Sequence, residues 1–156
     1  MSKKFRVVIG SDDAGFQYKE ILKKQLQNDT NVESVVDVGV DATSKTPYPD
    51  VAIAAAQMIA DGKADRALLI CGTGLGVAIS ANKVKGIRAA LVWSIETAKL
   101  AREHNNANVI AVGGRMHEAD FVKQLIDTFI ATPFPGDERH VRRIEKVGNY
   151  EVTGDL

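Results

Sequence analysis

The chain has 156 residues, of which 45% are hydrophobic, with 20 basic and 20 acidic side chains and a formal net charge of zero. A chain of this length and composition is expected to form one compact domain that needs neither disulfides nor a structural metal to fold. The charge balance excludes a global attraction to nucleic acid or to an anionic membrane, so any anion site must be local. No window approaches the roughly 18 apolar residues of a membrane span.

The cysteine content and the first residues indicate a reducing compartment. One cysteine forms no internal disulfide. The opening Met-Ser-Lys-Lys is followed by an apolar stretch that is shorter than the apolar core of a signal peptide. We therefore expect a cytoplasmic protein.

Short apolar runs alternate with helical patterns along the chain. In chain order, the sequence predicts strand 5–9, helix 16–27, strand 34–38, helix 51–60, strand 66–70, helix 77–83, strand 87–92, helix 95–104, strand 108–112 and helix 119–131. The strands are mostly apolar on both faces, as parallel strands are. This order predicts an α/β fold: a three-layer α/β/α sandwich around a doubly wound, five-stranded parallel sheet of the Rossmann-like type.

The tail after Pro133 begins again as a charged helix over about residues 137–147. Beyond it, Gly148-Asn-Tyr-Glu-Val-Thr-Gly154 predicts an irregular end after about residue 148. We expect a single domain over residues 1–156 with this extra C-terminal helix. A tail of this kind often packs on a neighbouring molecule.

Residues that directly follow the strands are candidate ligand contacts, because parallel α/β sheets bind ligands outside the carboxyl ends of their strands. Asp12 and Asp13 follow the first strand, Cys71 follows the third and Arg115 follows the fifth. His104 instead precedes the fifth strand, so it is expected at the opposite end of the sheet. It would then have to reach the site of another molecule, or be only structural.

The segment Cys71-Gly-Thr-Gly-Leu-Gly76 joins the only thiol to three alternating glycines. A thiolate accepts a proton, and backbone N–H groups turned inward at glycines hold an anion. One segment can therefore supply both a base and an oxyanion site. The alternatives are an inert core cysteine and a tight turn that only requires glycine.

Spacing excludes several familiar loops. Val77 stands six residues after Cys71, where a phosphatase loop requires arginine, and directly after Gly76, where a Walker loop requires lysine. Residues 10–15 lack the Gly-x-Gly-x-x-Gly pattern of dinucleotide binding. No metal site is expected, because the histidines lie on separate predicted elements without ligand spacing: His104, His117 and His140.

Seven segments match one known family in order and spacing. They are Gly10–Gly15, Thr46–Asp50, Cys71–Gly76, Ala81–Ala89, Glu103–Asn108, Gly113–Arg115 and Arg139–Arg143. In these segments, up to about residue 147, the chain resembles the ribose-5-phosphate isomerase B family, which also contains the galactose-6-phosphate isomerase subunits. The resemblance implies interconversion of aldose and ketose phosphates through an enediolate, without metal or cofactor. It also implies a homodimer with shared active sites, and the sequence leaves open whether dimers pair into tetramers.

The resemblance assigns roles to four candidate catalytic residues. Cys71 would be the base that moves a proton between C1 and C2, and Thr73 would form hydrogen bonds with the sugar oxygens during ring opening. Asp12 matches an acidic residue that contacts sugar hydroxyls, although Ser-Asp-Asp before a helix is also an ordinary N-cap cluster. His104 matches the ring-opening histidine, although a histidine at a helix end also interacts with the last carbonyls. Some members use a glutamate after the loop, where this chain has Val77-Ala78-Ile79-Ser80.

The substrate-binding candidates are arginines, loop residues and backbone amides. Arg139 and Arg143 are four residues apart on one helix face, able to bind one phosphate together, and the alternative is a solvated basic face. Tyr48, between two prolines, matches a loop residue that lines the sugar pocket, although turn rigidity alone explains the prolines. The remaining candidates are Arg115 for phosphate, Asn105 for sugar hydroxyls, and Gly72, Gly74 and Gly76 for the anion hole.

Asp13 departs from the family pattern. Many members carry histidine there, in a position that meets the phosphate, whereas a carboxylate repels a dianion unless it faces away or binds a hydroxyl. Conversion of ribose 5-phosphate to ribulose 5-phosphate, a step of the pentose phosphate pathway, is the first expectation. The alternatives are an isomerase of a tetrose or hexose phosphate, and a sugar-phosphate-binding module without turnover.

Overall fold

The computed structural model describes residues 3–156. Its strands are β1 (Phe5–Ser11), β2 (Val32–Asp37), β3 (Arg66–Cys71), β4 (Ala89–Leu91) and β5 (Val109–Gly113). Its α-helices are α1 (Phe16–Asn28), α2 (Tyr48–Ala60), α3 (Leu75–Ala81), α4 (Ile95–Glu103), α5 (Ala119–Ala131) and α6 (Glu138–Thr153), and a 3-10 turn at Asp13–Gly15 precedes α1. Within residues 3–156, no helix combines the length and the apolar character that crossing a bilayer requires.

All five strands are parallel in one sheet of order β2-β1-β3-β5-β4. The central β3 is buried at every residue, because helices cover both faces of a parallel sheet. Its register pairs Ala67 with Val109 where the two strands begin and Cys71 with Gly113 where they end. We call these two sides of the sheet its amino end and its carboxyl end.

The helices form two layers, one on each face of the sheet. Leu22 of α1, Ala98 of α4 and Leu125 of α5 pack in one core cluster with Ile70. Ala52 of α2 and Val77 of α3 pack in a second cluster on the other face, with Leu69. The predicted three-layer α/β/α sandwich is confirmed.

Element boundaries differ from the prediction where single residues decide them. α2 begins at Tyr48 instead of residue 51, because Pro47 is its N-cap and Pro49 lies in its first turn, where the missing N–H costs no intrahelical bond. Tyr48 is therefore a helical residue and not a loop residue. α3 begins directly after Gly74, which adopts a left-handed φ of 80°.

Strand β4 is shorter than predicted and lies at an edge of the sheet. It covers only Ala89–Leu91 and pairs with β5 on one side. On its other side the side-chain amide of Asn82 donates to the Ala89 carbonyl at 2.9 Å and accepts from the Ala89 N–H at 2.8 Å. The amide therefore takes the place of a neighbouring strand at this residue.

The expectation of an irregular tail after about residue 148 is wrong. α6 runs through Gly148 to Thr153 and ends at Gly154, which adopts the left-handed φ of 78° that is common after helices. Glu151 in the last turns accepts a hydrogen bond from the Gly86 N–H at 2.8 Å. This contact with a distant loop supports a helical end that its own residue types disfavour.

Candidate active site

Cys71 is the last residue of β3, at the carboxyl end of the sheet, and 5% of its surface is exposed. The turn that follows brings the Gly74 N–H back to the cysteine, with 3.1 Å between the nitrogen and Sγ. Glycine is required there, since φ is 80° and a Cβ would lie 2.6 Å from Cδ1 of Leu91. An N–H group aimed at the sulfur stabilises negative charge on it. The turn therefore suits a thiol that acts as a base.

Three other candidates lie in or against the glycine loop, residues 72–76. The Tyr48 ring packs against Gly76, where a Cβ would lie 2.6 Å from its Cε2. The Arg115 guanidinium lies beside Gly72, where a Cβ would be 3.1 Å from its Nη1. Thr73 is exposed, and its Oγ1 accepts from the Leu75 N–H at 3.3 Å. A ring, a cation and a hydroxyl thus meet around the loop that begins at the thiol.

Asp12 and Asp13 lie beside this loop but in different situations. The carboxylate of Asp12 accepts from the Gly15 N–H at 3.1 Å as the N-cap of the 3-10 turn. Its backbone N–H donates to the Ile70 carbonyl at 3.3 Å, next to Cys71. The capping role expected as the alternative for Asp12 is therefore present. Asp13 is exposed in the first turn of the same element.

The other four candidates lie at the amino end of the sheet. His104 caps the C-terminus of α4, in the turn that leads to Val109 at the start of β5. Since a strand of five residues rises roughly 13 Å, the turn is separated from Cys71 by the length of the sheet. The prediction that Cys71 and His104 lie at opposite ends is confirmed. Asn105 follows His104 in the same turn.

Helix α6 reaches this turn through a pair of stacked histidines. The rings of His104 and His140 have their centroids 4.2 Å apart at an angle of 15°. His140 is buried, and its Nε2 has no hydrogen-bond partner among residues 3–156. Burial, and after it the nearby charges of His104, Arg139 and Arg143, lower the pKa of His140 from its usual 6.5. Both arginines are exposed on α6.

A cavity of about 460 Å³ lies between α6 and the amino end of the sheet. Asn105 and Arg143 line it, together with Arg88 and Glu151. Three of the four candidates of this end therefore belong to one neighbourhood: Arg143 and Asn105 in the cavity wall and His104 in the adjoining turn. Neither here nor elsewhere in residues 3–156 do three or more His, Cys, Asp or Glu side chains form a group able to hold a metal ion.

Sequence reasoning missed two side chains at the amino end. Arg88 donates through its guanidinium to the carbonyls of Asn105 and Asn106, and His140 stacks on His104. Each left a signal in the sequence. Arg88 is the one charged residue in the predicted strand 87–92, and His140 stands four residues before Ile144, on the apolar side of an otherwise charged helix.

The matches to known proteins span almost the whole chain. A family model described as ribose/galactose isomerase matches residues 7–147. The chain is 45% identical over 147 residues to D-erythrulose-4-phosphate isomerase 2 of Mycolicibacterium smegmatis, which covers 94% of this chain and 97% of that protein. It is 41% identical over 149 residues to ribose-5-phosphate isomerase B of Mycolicibacterium paratuberculosis, covering 95% of this chain and 92% of that protein.

A solved structure matches the chain over nearly the same extent as these two relatives do. The crystal structure of ribose-5-phosphate isomerase B from Mycoplasma genitalium with bound ribulose-5-phosphate is 40% identical to this chain, with a TM-score of 0.87. The match covers 97% of this chain and 99% of that chain. With matches of this extent in sequence and in fold, the chain belongs to the ribose/galactose isomerase family.

Proposed function

We propose that this protein interconverts D-ribose 5-phosphate and D-ribulose 5-phosphate through an enediolate, with Cys71 as the base. Its family and its relatives support an aldose–ketose isomerase of sugar phosphates. The observation that carries the assignment of the base is the hydrogen bond of 3.1 Å from the Gly74 N–H to Sγ. That N–H can stabilise a thiolate, and the Arg115 guanidinium, a cation suited to phosphate, lies beside the next residue, Gly72.

The reaction needs one group that removes a proton and returns it. The Cys71 thiolate takes the proton from C2 of the open-chain aldose, and the electrons of that C–H bond form a C1–C2 double bond as O1 becomes negative. The O2 proton moves to O1, and the thiol then returns its proton to C1, which leaves a carbonyl at C2. The amides of Gly72 and Gly76 and the Thr73 hydroxyl are the proposed donors to the charged oxygens.

The division of the candidate residues between two ends of the sheet supports a homodimer. In our proposal, His104, Asn105, Arg139 and Arg143 of one subunit complete the site around Cys71 of the other, His104 opening the sugar ring. An apolar surface near the glycine loop supports such an association, because Ile53, Leu75 and Ile79 are 43%, 52% and 62% exposed.

The lone thiol also bears on where the reaction takes place. Cys71 is free, and its proposed role requires that it stay reduced. We therefore place the protein in the cytoplasm, where thiols are kept reduced.

A tetrose phosphate is the second candidate substrate. One observation favours it: the relative at 45% identity is named for D-erythrulose 4-phosphate. Asp13 stands where many members of the family carry histidine, and it adds a negative charge beside the proposed site.

The test is a coupled assay on tetrose, pentose and hexose phosphates with the wild-type chain, Cys71→Ala and Cys71→Ser. We expect the highest efficiency on ribose 5-phosphate, and a loss of at least about a hundredfold in both variants, the scale of losing a positioned base. Binding of substrate, measured by calorimetry, should persist. Near-normal turnover of Cys71→Ala would remove the thiol from the mechanism. Binding without turnover in the wild type would identify a binding module instead.

A further inference from the structure

The turn that carries His104 is built from backbone that needs outside support. α4 ends at Glu103, so the carbonyls of residues 105 and 106 fall outside its hydrogen-bond ladder. Asn106 adopts a φ of 44°, in the left-handed region. This conformation is unfavourable for any residue that carries a Cβ. A turn of this kind keeps one conformation only where neighbouring groups hold it.

Arg88 supplies that support with one side chain. Its Nε donates to the Asn105 carbonyl at 3.0 Å and to the Asn106 carbonyl at 3.2 Å, and its Nη2 donates to the Asn106 carbonyl at 2.9 Å. The guanidinium is a rigid planar fork, so these bonds fix the relative position of two consecutive peptide groups. The backbone N–H of Arg88 also donates to Oδ1 of Asn108 at 2.8 Å, which ties the far end of the turn to the same residue.

We propose that Arg88 is a positioning residue for ring opening: it holds residues 104–106 so that the His104 imidazole meets the sugar ring in the productive orientation. The inference rests on the proposed function, in which His104 opens the ring. The imidazole is one peptide unit from the first carbonyl that Arg88 binds. Its ring is otherwise held by the stack on His140. A displacement of about 1 Å in a catalytic group can cost a hundredfold in rate, so loss of the fork is expected to reach the chemistry.

The chemistry of the substrates separates this role from a general one. Ribose 5-phosphate is a furanose that must open before C2 can lose its proton. Ribulose 5-phosphate has no such ring, because the hydroxyl that would close it carries the phosphate. Erythrose 4-phosphate is open-chain for the same reason. The equilibrium constant fixes the ratio of kcat/KM in the two directions, so a residue that acts through ring opening affects ribose 5-phosphate and ribulose 5-phosphate alike. It spares erythrose 4-phosphate, which reacts without a ring in either direction.

The experiment measures kcat and KM for ribose 5-phosphate, ribulose 5-phosphate and erythrose 4-phosphate in the wild type, His104→Ala, Arg88→Met and the double variant. We expect Arg88→Met to lower kcat on ribose 5-phosphate by about tenfold or more, with a change within about twofold on erythrose 4-phosphate. In the double variant, the loss should equal that of His104→Ala alone, because two residues that act as a unit are not additive.

Two further variants guard against a purely structural effect. Arg88→Lys keeps the charge but not the fork, so it should fold and fall between Arg88→Met and the wild type. Arg6→Met is the matched control: Arg6 also binds a backbone carbonyl, that of Gly62, and forks onto Asp65, but it lies on β1, which β3 separates from β5. It should lower stability while leaving the ratio of the ribose 5-phosphate rate to the erythrose 4-phosphate rate unchanged.

Each outcome has one meaning. Equal losses on all three substrates, or a rise in KM with kcat unchanged, would show that Arg88 stabilises the fold or contacts the phosphate, and the positioning role would be wrong. Wild-type rates in Arg88→Met would overturn it as well. If His104→Ala loses as much activity on erythrose 4-phosphate as on ribose 5-phosphate, ring opening by His104 falls and the inference falls with it. If the wild type isomerises no sugar phosphate, the proposed function itself is wrong.

Discussion

Two adjacent carboxylates at the end of β1 are used differently. Asp12 directs one carboxylate oxygen to the Gly15 N–H at 3.1 Å, and the same N–H also donates to the Asp12 carbonyl at 3.2 Å. Asp13 is exposed, with no corresponding cap. The charge of Asp13 is therefore the freer of the two to act on a bound anion, and substitution there should change recognition more than folding.

Asp13→His should change substrate preference. The change replaces a carboxylate by a possible phosphate donor, and an unfavourable charge interaction of about 1 kcal/mol is worth roughly fivefold in efficiency. We expect the order of kcat/KM among tetrose, pentose and hexose phosphates to shift. Asp120→His, at another exposed acid in a first helical turn, is the control and should leave the order unchanged. If Asp13→His also leaves it unchanged, Asp13 has no part in substrate choice.

His140 should make the fold sensitive to mild acid. Its pKa is lowered, so the unfolded chain takes up the proton before the folded chain does, and stability falls as the pH drops through about 6.5. His140→Phe keeps a ring against His104 and removes the proton site. The melting temperature of the variant relative to the wild type should therefore rise as the pH is lowered from about 8 to about 5.5. If the difference in melting temperature between His140→Phe and the wild type stays constant across this pH range, His140 is not the source of the acid sensitivity.

At the level of elements, periodicity was sufficient for the order of strands and helices but not for their ends. The start of α2 at Tyr48 depends on two prolines whose effect reverses between the first turn of a helix and its interior. The last turns of α6 depend on Glu151 reaching Gly86, a contact between residues far apart in sequence. Prolines predict the start of a helix such as α2 only when their place in its first turn is already known. Residue types near the end of α6 do not predict that end at all, because it depends on a long-range contact.

Gly148→Ala tests whether α6 continues to Thr153. Gly148 lies inside the helix, and an added Cβ would meet no atom within 4 Å, so alanine should raise the free energy of unfolding by about 0.5–1 kcal/mol. Urea unfolding measures the change. Gly136→Ala is the opposite control, because Gly136 has equal space but a φ of 77°, and it should lose about 1 kcal/mol. If Gly148→Ala does not raise the free energy of unfolding, the result would favour an irregular tail after residue 148 over a continuous helix.

At the level of the whole molecule, the topology alone predicts which end of the sheet each candidate occupies. Cys71 follows a strand and His104 precedes one, so their separation follows from parallel pairing. The contacts of Arg88 with the His104 turn were beyond prediction, because they depend on where a long side chain lies after two loops have packed. The sequence therefore predicts which end of the sheet each candidate residue occupies, but not which side chains hold that residue in position.

A mixture of Cys71→Ala and His104→Ala chains tests the proposed shared site. If each site joins Cys71 of one subunit to His104 of the other, a mixed dimer has one doubly altered site and one intact site. After random exchange half of the dimers are mixed, so about a quarter of the wild-type activity on ribose 5-phosphate should return. Differently tagged chains verify the exchange. No recovery after verified exchange would mean that both residues serve the same site within one chain.

The amide of Asn82 has a consequence for how copies of this chain can associate. It occupies the outward N–H and carbonyl of Ala89, in a strand only three residues long, so this border of the sheet offers little to a foreign strand. A second subunit is thereby denied the simplest route to a continuous intermolecular sheet on this side. A second subunit that meets this border is therefore expected to do so through side chains, whose shape and polarity can discriminate between a correct partner and an aggregating one.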